Sequence, residues 1–291
     1  MHGSRPRFVP SSVRMRVLFG GFSNQFGWLF FGFGLIFVWF FALNADFSSL
    51  FHFRGPLENV EGVINSIEKT GASEGGRRSS SGTPIYAYHY TFFLDGVEFS
   101  EVSYRTGKRF KAKQRVTIEY PMGKPAISRI EDMRRAIFGP IMGFVIIFPL
   151  VGAVFIIVGL KNGLKANRLL TNGRLALGSL KSKETTNTRI NKRMVYKLTF
   201  EFETQNGRSY QVVAKTHMAE TLEDEEREQL LYDPVQPDAA VMLNSLPGSP
   251  ALDDSGNVYF KSAVGPALLL LFLPAVTIIG HGLFLWNKFA T

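Results

Sequence analysis

The sequence predicts a membrane protein of mixed α + β class, with three transmembrane helices carrying two small, mostly antiparallel β-barrel or sandwich domains. Three observations predict it. Three blocks free of Asp, Glu, Lys and Arg are about long enough to cross a hydrocarbon core of ~30 Å. Two polar stretches of similar length lie between those blocks. Both stretches show the same order of strand and turn signals.

Composition agrees. Aromatic residues make up 13% of the 291 positions, with 27 phenylalanines, and charged residues only 20%, against about a quarter in soluble domains. There is no cysteine, which excludes thiolate chemistry, disulfides and cysteine-based zinc or iron–sulfur sites. A net charge of +9 raises nucleic acid as a partner, but no reading motif accompanies it. Basic residues that flank spans and touch anionic head groups account for the charge. The expected partners are therefore membrane lipids and other membrane or envelope proteins, not nucleic acid.

A basic segment, 1–25, carries Arg5, Arg7, Arg14 and Arg16 ahead of the first span, 26–45. A cleaved signal peptide is the alternative, but the apolar run exceeds the usual ~7–15 residues. The second span, 136–160, lies between Arg134-Arg135 and Lys161 and is interrupted by Pro140 and Pro149; it reads as a kinked helix. The third, 263–286, holds Pro266, Pro274 and His281 and precedes a tail, 287–291. An ionisable group inside a span is a functional candidate, yet His281 lies near Trp286, Asn287 and Lys288 and reads as interfacial.

The β-domains are expected over 46–135 and 161–262. Each opens on a glycine, Gly62-Val63-Ile64 or Gly178-Ser179-Leu180, and continues into a polar loop, Gly71 to Gly82 or Thr185 to Arg189. An alternating strand follows. Its period of two puts Tyr86, Tyr88, Tyr90 and Phe92 on one face, and Tyr196, Leu198, Phe200 and Phe202 likewise. Turns at Asp95-Gly96 and Asn206-Gly207 favour positive φ. The closing strands end at Tyr120-Pro121 and at Tyr232-Asp233-Pro234, with Pro125 and Pro237 beyond. These closures read as structural, because proline ends a strand and tyrosine offers apolar area with a polar tip. The ordered set occurring twice signals an internal repeat.

The pattern resembles the DUF3592 family of bacterial membrane proteins, whose function is unassigned. The second copy is the more similar, through Leu231-Tyr232-Asp233-Pro234-Val235-Gln236-Pro237 and the upstream Leu169-Leu170 and Gly173. The first departs: Tyr120-Pro121 lacks the aspartate, and Met122-Gly123-Lys124 precedes Pro125. The resemblance covers roughly two-thirds of the chain. It implies the fold class and a bacterial inner-membrane setting, and carries no activity.

No catalytic constellation stands out. His2, His52, His89, His217 and His281 show no metal-ligand spacing, and His89 falls on the polar face of its strand. The Gly71–Gly82 stretch lacks the Gly-Lys-Ser/Thr ending of a phosphate loop. No cofactor, metal or catalytic residue is expected. One contrast is a candidate site. Arg105, Lys108, Arg109, Lys111, Lys113 and Arg115 precede the first closing strand, where the second copy has Glu220, Glu223, Asp224, Glu225, Glu226 and Glu228, with a short helix expected from Thr221. They are either two solvated surfaces or docking patches for each other, for lipids or for other subunits.

Three single crossings place the two domains on opposite sides. The excess of flanking Lys and Arg favours a cytoplasmic amino terminus. A re-entrant second block would instead put both domains on one side. The expected function is a non-catalytic scaffold or interaction protein, an accessory subunit of a larger membrane or envelope complex. A transporter or channel component is the alternative and an enzyme the third reading. Charge reversal of Lys108, Arg109 and Lys111 is expected to weaken lipid binding and co-purification of partners; unchanged values for both would leave the solvated-surface reading.

Overall fold

The computed structural model describes residues 6–76, 82–190, 192–216, 227–247, 250–253, 257–260 and 267–290. In chain order the elements are α1 (Ser11–Phe19), α2 (Phe22–Phe40), α3 (Ser48–His52), β1 (Leu57–Glu74), β2 (Thr83–Leu94), β3 (Val97–Thr106), β4 (Arg115–Pro121) and β5 (Arg129–Ile130). A 3-10 stretch, Pro140–Ile146, leads into α4 (Ile147–Asn172). Then come β6 (Arg174–Ile190), β7 (Arg193–Glu203), β8 (Ser209–Thr216), β9 (Glu228–Tyr232), β10 (Val241–Met242), β11 (Pro250–Leu252), β12 (Val258–Phe260), α5 (Ala267–Leu270) and α6 (Phe272–Phe289). The chain forms two compact units, residues 33–148 and residues 1–32 with 149–291.

Within 33–148 the five strands form one antiparallel sheet in the order β3-β2-β1-β4-β5. The sheet curls until its ends meet. The Ile130 N–H donates to Ser103 Oγ at 2.9 Å, and Tyr104 and Arg134 exchange backbone hydrogen bonds of 2.7 and 3.0 Å. Ile64, Tyr88, Tyr90, Phe92, Ile118 and Ile130 fill the interior. Burial pushes the Tyr90 phenol up to about 12, against the opposing hydrogen bonds of Ser128 and Ser103. As the alternation predicts, His89 points outward.

The second sheet runs β10-β9-β6-β7-β8, the same order in the same topology, around Leu198, Phe200, Phe202, Leu230, Tyr232 and Met242. The register repeats too. Gly62 pairs with Phe92 and Gly178 with Phe202, and both long strands bulge at matching places, Ile64/Ser66 and Lys69/Ser73 against Leu180/Ser182 and Thr185/Arg189. Bulges add local twist and bend a strand, which is how five strands curl into a small barrel. Each barrel is one closed sheet, not a two-sheet sandwich. The opening glycines have a steric cause: a Cβ on Gly62 would lie 2.7 Å from Ile118 Cγ1, and one on Gly178 2.8 Å from Leu230 Cδ2.

Several expectations are corrected. The loop expected at Thr185–Arg189 belongs to strand β6, where the second bulge absorbs it. At Asp95-Gly96 both residues take positive φ, 50° and 78°, as a two-residue hairpin turn requires. At Asn206-Gly207 only Gly207 does, at 73°, and Thr204 pairs with Arg208 across a three-residue loop.

The spans change most. Among the described residues two helical segments, Phe22–Asn44 and Pro140–Asn172, are long and apolar enough to cross a membrane, not three. The third expected span appears as α5 and α6, where His281, Asn287 and Lys288 dilute the apolar run; residues 263–266 lie outside the described residues. The second expected span does not end at residue 160: a 3-10 stretch from Pro140 leads into α4, which runs to Asn172. Pro149 sits in the first turn of α4, where a missing N–H costs nothing, and the helix continues through Lys161, Lys165 and Arg168 to Asn172.

In the unit of 1–32 and 149–291, the buried positions of α4 are Pro149, Gly152, Ile156, Gly159, Gly163, Ala166, Leu169 and Leu170. From Pro149 to Ala166 they alternate at three- and four-residue spacing, that of a helix–helix seam, and Leu169 and Leu170 widen the buried face at the end of the helix. Antiparallel to it runs α2: a Cβ on Gly152 would meet Phe31 N at 2.4 Å, one on Gly159 would meet Asn24 N at 2.7 Å, and one on Gly27 would meet Ile156 N at 2.6 Å. Further along, α1 buries Val13 and Val17 against Ala166, Leu169, Leu170 and Leu231, so the expected basic segment 1–25 contains a packed helix. α6 meets α2 where Thr277 lies against Gly32 and His281 Nε2 bonds the Gly32 carbonyl at 2.9 Å.

Three arginines that flank the expected spans, Arg7, Arg134 and Arg135, have structural partners, as does Arg129. Arg7 Nη1 donates to the Leu170 carbonyl at 2.7 Å, satisfying an orphan acceptor at the end of α4. Arg129 bonds Glu119 at 2.6 Å, Arg134 bonds Glu74 at 2.7 Å, and Arg135 lies 3.7 Å from Glu101. The Arg135 N–H also donates to the buried Asp46 carboxylate at 2.8 Å. Burial alone would raise Asp46, but hydrogen bonds from Ser49, Arg135 and Ser48 together hold it below the ordinary carboxylate range.

Replacing Gly159 by Leu is expected to force α2 from α4 and cost about 1–3 kcal/mol, seen as a lower thermal midpoint in detergent. Gly282, with nothing within 4 Å of an added Cβ, is the control, and its Leu variant is expected to melt near wild type. Equal midpoints for the two variants would show that the helices do not depend on this approach.

Candidate functional site

Of the basic residues expected as a patch, Arg105 stands on β3, Arg115 on β4, and Lys108, Arg109, Lys111 and Lys113 on the loop between them. Lys108, Lys111 and Lys113 are exposed and form no ion pair among the described residues. Arg105 donates to the Asp132 carbonyl at 3.3 Å, and Arg109 lies 3.8 Å from the Asp132 carboxylate and stacks on Phe110. Arg115 pairs with Glu61 at 3.1 Å. The loop is held from below, since the Arg109 N–H donates to the buried Tyr88 hydroxyl at 2.8 Å. The loop thus presents Lys108, Lys111 and Lys113 to solvent, while Arg105, Arg109 and Arg115 engage Asp132 and Glu61.

Its expected counterpart, Glu220, Glu223, Asp224, Glu225 and Glu226, lies outside the described residues, as does the helix expected from Thr221. Glu228 is not part of a solvated face. It is buried on β9, with Asn244 donating to it at 3.1 Å.

The closing motifs carry more than strand termination. Tyr120 and Tyr232 are buried where they end their strands, and Pro121 still pairs with Leu57. In the second barrel Asp233 accepts the Val235 N–H at 2.9 Å, forming the turn into Pro237, while its other oxygen takes Arg168 Nη2 of α4 at 2.9 Å. The aspartate therefore joins barrel to helix, a role the first closure, lacking it, does not have.

Around that closure the motif residues line a recess of about 140 Å³. Tyr232, Pro234 and Pro237 form one wall, Thr204 to Asn206 another, and Arg174 and Arg208 flank them. Gln205 N–H donates to the Tyr232 hydroxyl at 3.3 Å, and Arg174 Nη1 bonds Gln205 Oε1.

No family model, no curated protein and no solved structure matches the chain.

A second cavity, of about 300 Å³, opens between the α1–α2 junction, α4 and the segment after β10, with Val17 and Leu246 on its apolar side and Ser23, Asn162 and Lys165 on its polar side. Neither recess is marked by a ligand-binding motif in the sequence. Counting register would have found the first: Arg174 stands opposite Tyr232 as Glu58 stands opposite Tyr120, and Arg208 directly follows the Asn-Gly turn.

Asp233→Asn is expected to lower stability by about 1 kcal/mol, because Arg168 is largely exposed and water screens the pair. A double-mutant cycle with Arg168→Gln measures the coupling, and additive losses would sink the assignment of Asp233 as the link to α4.

Proposed function

We propose that the chain is an integral membrane protein whose two barrels act as interaction modules, an accessory, non-catalytic subunit of a larger membrane or envelope complex. One observation carries the membrane part. Only 22% and 17% of the two apolar windows are buried, and large side chains such as Phe33, Phe40, Leu150, Val154 and Ile157 stand exposed along them. The core helix of a soluble protein would be mostly covered; an apolar surface of this extent calls for a hydrocarbon surround. The barrels support the interaction part: one presents Lys108, Lys111 and Lys113 to solvent and the other a recess.

Membership of the DUF3592 family and a bacterial inner-membrane location belong to this proposal through the resemblance of the closing motifs. With α2 and α4 each crossing once, the segment 45–139 faces the outside and the amino terminus and second barrel face the cytoplasm. The cavity beside Lys165 opens near the point where the apolar run of α2 begins, and we assign lipid contact there. The alternative, a transporter or channel component, is favoured by Asn24. This polar side chain is fully buried at the α2–α4 seam, and its amide has no hydrogen-bond partner among the described residues.

The chain is free of cysteine, so single-cysteine labelling is clean. Carbonate washing is expected to leave the protein in the membrane pellet. In intact spheroplasts an impermeant maleimide is expected to label Glu98→Cys but not Arg189→Cys until the membrane is opened. Release by carbonate would refute the membrane reading; equal labelling of both positions would refute the topology alone.

A further inference from the structure

We infer that the recess at the Tyr-Asp-Pro closure of the second barrel is a binding site for a phosphate group. The assignment rests on the internal geometry of this barrel and not on the membrane reading. The recess is well below the ~300–1,000 Å³ of sites for drug-sized ligands, so it takes a small group.

Its donors outnumber its acceptors. Arg174 and Arg208 form no ion pair among the described residues, and no carboxylate lines the walls. Glu203 Oε1 lies at the turn, 3.6 Å from where a Cβ on Gly207 would be, and forms no ion pair with either arginine among the described residues. Asp233 is engaged by Arg168 and Val235. Arg174 Nε is buried and makes no hydrogen bond among the described residues, so its guanidinium is incompletely matched within the protein. The Tyr232 hydroxyl accepts from Gln205, which leaves its own proton free to donate, and the Asn206 side chain adds an amide at the rim. Two guanidinium groups match a phosphate dianion in charge, and their planar forks match its oxygens in geometry. A carboxylate would neutralise only one of the two charges.

The first barrel supplies an internal contrast. At the same register its closing tyrosine faces Glu58 instead of Arg174, and Leu94 and Val97 stand at the hairpin positions of Thr204 and Arg208. Burial, and then the Glu58 charge, push Tyr120 above the ordinary phenol range. The recess chemistry is therefore a property of one copy and not of the fold.

The test is calorimetric titration of the purified full chain in detergent with inorganic phosphate, with acetate at equal ionic strength, and with short-chain phosphatidic acid against phosphatidylcholine. Saturable phosphate binding that Arg208→Gln weakens about tenfold or more is the expected result. Because Arg208 is exposed and unpaired among the described residues, this variant is expected to keep the wild-type thermal midpoint; Arg174→Gln, which also loses its Gln205 bond, is the second variant. Phosphatidic acid binding more tightly than free phosphate, with the same Arg208 dependence, would assign the group to a lipid head group, and the reverse order to a soluble phosphate. No binding, equal binding of acetate, or affinities unchanged in both variants would overturn the site.

Discussion

The unit formed by residues 1–32 and 149–291 depends on how closely α2 and α4 approach. Backbone atoms of one helix occupy the space that side chains at Gly152 and Gly159 would need on the other. In hydrocarbon there is no hydrophobic force to drive helices together, so close packing of small residues carries much of the association. The seam also fixes the helix register, which in turn sets where α1 can dock and where the second barrel begins. Asn24 sits in this seam with its backbone against Gly159, so one of the close approaches of the pair also carries a fully buried polar side chain.

The barrels rest on a different constraint, the crowding of a five-stranded closed sheet. A sheet this narrow closes only if its long strand bends, and both β1 and β6 bend at two bulges in matching register. Closure then brings the tyrosine at the end of the fourth strand over the interior, and the opening glycine leaves room for the Ile118 or Leu230 side chain. Glycine, bulge and tyrosine are one geometric solution stated twice. Residues that do not take part in it were free to diverge, as the exchange between Glu58 and Arg174 shows.

Much of this was legible in the sequence, for physical reasons. Strand alternation placed Tyr88, Tyr90 and Phe92 correctly, because period two leaves little choice of face. The Asp-Gly turn was readable because positive φ demands such residues. Less readable was anything set by contacts distant in the chain. Nothing in the composition marks Gly152 and Gly159 as contact points, which the packing makes them. Pro149 reads as an interruption from sequence because nothing there marks the start of α4 two residues before it. Charge counting weighs Arg7, Arg134 and Arg135 only as charges that flank spans, and only the fold reveals their carbonyl and carboxylate partners. The Arg174–Arg208 recess went unseen because its two arginines are 34 positions apart in the chain and meet only through strand register.

The junction between α4 and the second barrel has a mechanical consequence. The helix ends at Asn172 and β6 begins at Arg174, a connection of a single glycine. Arg168 holds Asp233, which follows the Tyr232 paired with Arg174, at this same end of the barrel. A one-residue link and a second attachment beside it restrict swivelling of the helix against the sheet. Any tilt or rotation of α4 is transmitted to the barrel as to the head of a rigid lever, so a displacement imposed at one end of this rod is felt as a change of angle at the other.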